Sequence, residues 1–245
     1  MTSCHDELTH PALVAHRGYA LRYPENTVVS IRAALEAGAR AVEFDVQLTA
    51  DRVPVLLHDA SLERTAGVDQ DIRDLPLDRA CEIEVGEPDR LGDAFVGVTL
   101  PTLADAVAVI GGWPDAMVFV ELKRASLRRF GNGCVVQRVL EALLPVNDRA
   151  VVISFDKDAV GLARDRGAAR IGWVMEACND DVRADAERLA PDYLFCDRPL
   201  LPGTVWPGPW RWVVYGVETP QDATDVAARG VQIIETMAVG ELLGG

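Results

Sequence analysis

Two short segments carry charge where a strand would normally be apolar throughout. In Ala41-Val-Glu-Phe-Asp-Val-Gln-Leu48, the two-residue alternation of a strand sets Val42, Phe44 and Val46 on one face and Glu43 and Asp45 on the other. Met117-Val-Phe-Val-Glu-Leu-Lys123 repeats the arrangement, with Val118, Val120 and Leu122 opposed to Phe119, Glu121 and Lys123. An unpaired carboxylate turned into an interior costs on the order of several kcal/mol or is forced to protonate. Three acids on rigid strands, Glu43, Asp45 and Glu121, make an oxygen-donor set for one hard divalent cation, Mg²⁺ or Ca²⁺. No cysteine or histidine pair accompanies them, as a softer metal would require. The alternative for the same residues is a set of rim ion pairs, Glu43 or Glu121 with Lys123 or an arginine.

Histidine occurs four times, at His5, His10, His16 and His58. His5 and His10 stand in a polar N-terminal arm and read as solvated side chains. His16 ends an apolar run and precedes Arg17-Gly18; His58 ends Val53-Pro-Val-Leu-Leu57 and precedes Asp59. Imidazole suits proton transfer near neutral pH, although a histidine at a strand end is commonly just a hydrogen-bonded structural residue. Arg17 has the planar fork that grips a phosphate, and Gly18 would let backbone amides approach one. Lysine occurs only at Lys123 and Lys157, so the other 22 of the 24 basic residues are arginine; that makes Lys123, beside Glu121, worth notice. A cation, an arginine, a lysine and two histidines at one mouth describe phosphodiester cleavage. Cationic groups neutralise the phosphoryl oxygens while one histidine takes a proton from the nucleophile and the other gives one to the leaving oxygen.

Such a constellation needs several strand ends at one place. Strands are expected at Leu13–His16, Ala41–Leu48, Met117–Lys123, Ala150–Phe155, Arg170–Met175, Tyr193–Cys196, Trp210–Gly216 and Val231–Glu235. Helical spacing fills most of the gaps. Asn26 or Thr27 can cap a helix ended by Gly38, Thr102 one ended by Gly111-Gly112, Asp158 one ended by Gly167, and Thr219 one ended by Gly230. Eight strands alternating with helices fit an α/β fold of the (β/α)8 TIM barrel type, whose active sites sit at the C-terminal strand ends. The whole chain, 1–245, reads as one domain. Residues 59–99 are too long for an ordinary loop and read as a small insertion after the second strand. Residues 198–209 hold four prolines, so the sixth helix should be short or absent. Thr49-Ala-Asp-Arg52 reads as a hairpin turn, with Asp51 serving it.

The ordered set His16-Arg-Gly18, Pro24-Glu-Asn-Thr27, Glu43-Phe-Asp-Val-Gln-Leu-Thr-Ala-Asp51, Val55-Leu-Leu-His-Asp59, Leu62-Glu-Arg-Thr65, Pro101-Thr-Leu103, Glu121-Leu-Lys123 and Ser154-Phe155 resembles the glycerophosphodiester phosphodiesterase family. The resemblance implies a TIM barrel with an insertion after the second strand. It also implies metal ligands Glu43, Asp45 and Glu121, acid–base histidines His16 and His58, and phosphate contacts Arg17 and Lys123. The implied products are sn-glycerol 3-phosphate and an alcohol, by way of attack from the neighbouring glycerol hydroxyl and a cyclic phosphate. Trp212 matches a family tryptophan and is expected against the glycerol carbons. Val213 and Tyr215 depart from the threonine and asparagine that follow that tryptophan. Ile234-Glu-Thr236 stands where the family has Thr-Asp, with carboxylate and hydroxyl exchanged. Glu25 is expected to cap a turn or to orient a site residue, and Asp59 to orient His58 or cap a turn.

Acidic residues outnumber basic ones 38 to 24, giving a net charge of -14, which argues against nucleic acid and anionic membrane surfaces as partners. No apolar run approaches ~18 residues and the N-terminus lacks the features of a signal peptide. Five scattered cysteines, with no CxxC, read as reduced thiols. The expected setting is cytoplasmic, with no stable membrane insertion and a small glycerophosphodiester as partner. Competing readings are a lysophospholipase D or sphingomyelinase D-like phosphodiesterase, which would need an apolar acyl groove, and a non-catalytic phosphoester-binding protein using Arg17 and Lys123. A glycosidase would use the paired carboxylates but leaves both histidines without a task.

Overall fold

The computed structural model describes residues 11–244; Cys4, His5 and His10 lie outside the described residues. Nine strands form: β1 (Ala12–Ala15), β2 (Ala41–Leu48), β3 (Pro54–Leu56), β4 (Met117–Leu122), β5 (Ala150–Ser154), β6 (Arg170–Met175), β7 (Tyr193–Asp197), β8 (Arg211–Tyr215) and β9 (Ile233–Thr236). Eight are parallel in the order β1-β9-β8-β7-β6-β5-β4-β2, and Ala15 pairing with Val42 joins β1 to β2 and closes the barrel. The ninth, β3, runs antiparallel on β2 outside the ring, with Val46 opposite Leu56 and Leu48 opposite Pro54. The run Val53–Leu57 is thus the return arm of the expected hairpin. Arg52, at φ 64°, turns the chain there, and the Thr49 hydroxyl donates to Asp51 at 2.6 Å.

Strand alternation sorts the side chains into two apolar layers. Val14, Phe119, Val151, Ile153, Val174, Phe195, Val213 and Ile233 fill the barrel interior. Val42, Phe44, Val46, Val118, Val120 and Leu122 face outward and pack on helices Val28–Glu36, Leu103–Gly111 and Asn132–Leu143. Those helices begin where small polar residues cap them: Thr27 accepts from Ser30 N–H and Thr102 from Asp105 N–H, each in a reciprocal capping box. Asp156, not Asp158, caps the helix Lys157–Asp165, since Asp158 already lies inside its first turn.

Residues 59–99 hold three short helices, Glu63–Ala66, Leu77–Ala80 and Pro88–Leu91, and two 3₁₀ turns. Leu62, Ile72, Ala80 and Val85 close over Val55, Leu57 and Leu100 as a small core of their own. Arg90 ties this segment to the barrel through the carbonyls of Ala20 and Tyr23, both at 2.8 Å. After β7 the proline-rich stretch makes only the 3₁₀ turn Arg198–Leu200, and the sixth helix is missing, as four ring-fixed nitrogens dictate.

Candidate active site

β1 delivers His16 to the C-terminal mouth and the chain then turns sharply. Arg17 takes the left-handed conformation (φ 57°) and Gly18 follows at φ 78°. A Cβ on Gly18 would lie 2.5 Å from Ser30 Oγ and 2.6 Å from the Ser30 carbonyl carbon, so only glycine fits between β1 and the following helix. The turn aims the Arg17 backbone N–H at Glu43 Oε2, 3.1 Å away. It also aims the guanidinium at Glu25, with Nη1 at 3.0 and 3.2 Å from the two carboxylate oxygens.

β2 turns Glu43, Asp45 and Gln47 inward, each about 1% exposed, and β4 adds Glu121 beside Asp45 through the register Asp45↔Glu121. Lys123, the residue after β4, reaches back to Asp45 Oδ1 at 3.0 Å and Glu121 Oε1 at 2.8 Å. Asn26, another left-handed residue (φ 54°), holds Asp45 from the far side. Its Nδ2 donates to Asp45 Oδ2 at 2.8 Å, and its Oδ1 accepts the Asp45 N–H at 2.9 Å. Sequence reading gave Asn26 only a capping role. Its contact with Asp45 is made 19 positions along the chain, and no local pattern encodes it.

His58 follows β3, so the outer hairpin arm, not a barrel strand, carries it to the mouth. Its Nδ1 lies 2.7 Å from Asp59 Oδ1, so Nε2 is the ring nitrogen that Asp59 does not engage. Gln47 Nε2 donates to the His58 carbonyl at 3.1 Å and fixes its backbone. Arg64, from the insertion, joins Asp59 to Glu25: Nε donates to Asp59 Oδ2 at 2.7 Å, and both Nη atoms donate to Glu25 at 2.9 and 2.7 Å. Both roles suggested for Asp59 and Glu25 as orienting residues are therefore realised geometrically.

A fourth carboxylate completes the mouth. Glu235 of β9 is 4% exposed, and its Oε1 lies 3.3 Å from His16 Nε2. The exchange of carboxylate and hydroxyl near the chain end has thus placed a glutamate inside the barrel, while Thr236 turns away to Glu218 at 3.0 Å. Tyr215 stands next to it, its ring 6.5 Å from that of His16. Trp212 is not at the mouth, which corrects the expectation that it meets the glycerol carbons. It is 1% exposed and packs outside the barrel in the cluster of Trp210, Leu201 and Val226, with Nε1 donating to Trp206 O at 3.1 Å. On β8 the alternation turns Val213 and Tyr215 inward, which forces Trp212 outward.

The charges set one another's protonation. Burial raises Glu43 well above the usual carboxylate range, and Asp45, Glu235 and Glu121 add to the effect. Glu121 is raised by burial too. Glu235 is pushed up to about 8 by burial with Glu121 and Asp45 nearby. Burial also opposes the charge on Asp45, but Lys123 and Arg17 outweigh it and hold this group well below its ordinary value. Burial, reinforced by Arg17, lowers His16 to about 3, so at neutral pH its ring is uncharged. Its 3.3 Å approach to Glu235 is then a contact between neutral groups. One oxygen of the cluster, Glu43 Oε1, is buried and has no hydrogen-bond partner among the described residues. Glu43, Asp45 and Glu121 each offer an oxygen within 4.8 Å of the others. An orphaned oxygen among acids pushed toward protonation fits a divalent cation. Each raised carboxylate would ionise against it.

Two adjoining cavities open at this mouth. The inner one is lined by His16, Arg17, His58, Glu121, Lys123 and Glu235, with Ile153, Phe155, Val174, Phe195 and Tyr215 as an apolar wall. His58, Glu121, Lys123 and Phe155 are shared with an outer cavity of about 280 Å³. Among the described residues, no helix is long and apolar enough to cross a membrane.

The model of the Glycerophosphoryl diester phosphodiesterase family matches residues 16–191 of this chain. Over 146 residues the chain is 31% identical to a glycerophosphodiester phosphodiesterase of Caldanaerobacter subterraneus, covering 59% of this chain and 58% of that protein. It is likewise 31% identical over 151 residues to one of Bacillus altitudinis, covering 61% and 60%. The chain thus spans 58% and 60% of the length of these two curated relatives. Its fold is similar to that of an Oleispira antarctica phosphodiesterase in complex with the product sn-glycerol-3-phosphate, with a TM-score of 0.83, 23% identity and 96% of each chain covered. A glycerophosphodiester phosphodiesterase from Thermotoga maritima superimposes with a TM-score of 0.72 at 21% identity, over 97% of this chain and 99% of that one.

Proposed function

The chain belongs to the Glycerophosphoryl diester phosphodiesterase family, and on that premise we propose that it is a phosphoric diester hydrolase. It splits small glycerophosphodiesters into sn-glycerol 3-phosphate and an alcohol, using His16, His58 and one divalent cation, Mg²⁺ or Ca²⁺. The observation that carries this reading is the convergence of both histidines, Arg17, Lys123 and Glu121 on one cavity. A glycosidase would need the acids alone.

His16, uncharged at neutral pH, takes the proton of the attacking hydroxyl, and the neighbouring glycerol hydroxyl is the nucleophile nearest to hand. His58, held through Nδ1 by Asp59, delivers a proton from Nε2 to the leaving alcohol oxygen as the phosphorus–oxygen bond breaks. Water then opens the cyclic phosphate with the two roles reversed, which returns both rings to their starting state. Arg17 and Lys123 stabilise the phosphoryl oxygens. Glu43, Asp45 and Glu121 would hold the cation, whose chemistry there is to neutralise phosphoryl charge. The whole chain serves as one barrel domain with residues 59–99 inserted to brace the rim. A cytoplasmic setting is the reading that the scattered cysteines, with no CxxC pair, support.

The test is release of glycerol 3-phosphate from a panel of glycerophosphodiesters and lysophospholipids with Mg²⁺, Ca²⁺ or EDTA. EDTA abolishes turnover, and His16→Ala and His58→Ala each lower kcat by about 10²–10⁴ while circular dichroism stays native. Full activity in either variant would sink the mechanism, and preference for a lysolipid would favour the lysophospholipase D reading.

A further inference from the structure

The outer cavity has His58 in its lining, so a leaving oxygen that His58 protonates would be at its edge. It shares His58 and Lys123 with the inner cavity, so a diester whose phosphate sits between them projects one substituent into each. The apolar wall of the inner cavity suits glycerol carbons, whereas the outer cavity is edged by Gln47, Arg124, Arg128 and Glu176.

Its polar groups are mostly committed. Gln47 spends its Nε2 on the His58 carbonyl at 3.1 Å and its Oε1 on the Ser126 hydroxyl at 2.6 Å. Arg124 pairs with Glu176 through two contacts, Nη1 to Oε1 at 2.9 Å and Nη2 to Oε2 at 2.5 Å. Its guanidinium lies over the Phe155 ring, 4.9 Å from the centroid. Phe155 is the aromatic residue lining this cavity, and an aromatic face is where a quaternary ammonium would bind. That face already carries a cation. Arg128 stands four residues on, in the same helix Arg124–Phe130, and also lines the cavity. Two guanidinia at this spacing repel each other. Glu176 relieves the first, whereas Arg128 is exposed and has no ion pair among the described residues. Its neighbour Arg129 is paired, with Asp74 at 3.1 Å.

We propose that this outer cavity is the leaving-alcohol subsite and that Arg128 makes it select alcohols bearing an anionic group, a carboxylate or a phosphate, over choline. The inference rests on the hydrolase reading above and names its substrate class. A carboxylate or phosphate accepts two parallel N–H bonds from the Arg128 fork. A trimethylammonium would have to displace Arg124 from Phe155 and sit against an unneutralised guanidinium.

The experiment compares kcat/KM for glycerophosphoserine, glycerophosphoinositol 4-phosphate, glycerophosphoglycerol and glycerophosphocholine, in the native protein and in Arg128→Gln and Arg128→Glu. The ratio of anionic to choline diester is expected to exceed about tenfold in the native protein. It should fall about fivefold in Arg128→Gln, mostly through KM, and further in Arg128→Glu, and it should shrink with added salt. The serine and inositol phosphate arms separate a carboxylate ligand from a phosphate one. A choline preference in the native protein, or a ratio that neither variant changes, overturns the proposal. Should no diester turn over, the hydrolase reading fails by itself. Calorimetric binding of glycerophosphoserine and glycerophosphocholine to the same three proteins then reads the subsite directly, and equal affinities overturn it.

Discussion

Arg64 and Asp59 meet at 2.7 Å through Nε and Oδ2, while the other edge of the same guanidinium grips Glu25. Asp59 holds His58, and Glu25 holds Arg17. One arginine from the insertion therefore sets the angle of His58 and of Arg17 together. The insertion contributes in a second way, for Glu87 accepts the Glu25 backbone N–H at 2.6 Å.

Replacing Arg64 with alanine frees both carboxylates. The expected outcome is a fall in kcat of about tenfold or more together with a stability loss of roughly 1–3 kcal/mol, because buried Glu25 loses two charged hydrogen bonds. Steady-state kinetics beside a thermal melt check it.

Glu25 sets an acid limit on stability. Burial opposes its charge, but the hydrogen bonds from Arg64 and the charge of Arg17 prevail and lower its pKa below the unfolded value. The carboxylate is ionised in both states at neutral pH, so its contribution is fully present above the unfolded pKa of about 4.3 and is lost as pH falls through the lower, folded one. Tm measured downward from pH 6 should drop below about pH 4, and more steeply in the native protein than in Glu25→Gln, which has no proton to take up. Equal slopes would remove Glu25 from the account.

Asn26→Ala leaves Asp45 without two hydrogen bonds, 2.8 and 2.9 Å long. Divalent-cation affinity should fall about 10–100-fold, with a stability loss of roughly 1–3 kcal/mol. Calorimetric titration with Mg²⁺ and Ca²⁺ reads the first and urea denaturation the second.

Gly18→Ala should cost more than about 2 kcal/mol, since its Cβ meets backbone and its φ is left-handed. Gly38, at φ 100° with open space around the added Cβ, should lose only about 1 kcal/mol on the same change. Paired denaturation curves separate strain from collision.

Trp212→Phe should leave KM for every diester unchanged while lowering stability by about 1–3 kcal/mol, through lost packing and the lost bond to Trp206. A raised KM with native Tm would return the tryptophan to the substrate.

The barrel was legible because its signals are local. The alternation in Ala41–Leu48 and Met117–Leu122 showed by itself which side chains turn inward, and the prolines of 198–209 announced the lost helix. The same alternation made Glu43, Asp45 and Glu121 conspicuous, since charge on an otherwise apolar strand needs a reason. Residues that act by meeting distant partners carried no such mark. Asn26 looks like a helix cap until β2 arrives beside it, Arg64 like a surface arginine until Glu25 and Asp59 flank it. Glu235 becomes a site residue only when β9 closes against β1. Trp212 was misplaced because a matched residue type fixes neither register nor face, and the inward turn of Val213 and Tyr215 decided both. Sequence alone determined the strand faces and singled out the inward acids, through periods of two and 3.6 residues. Tertiary structure alone decided which polar groups satisfy one another and which, Glu43 Oε1 and Arg128, are left without a partner among the described residues, because pairing depends on the meeting of strands and loops far apart in the chain.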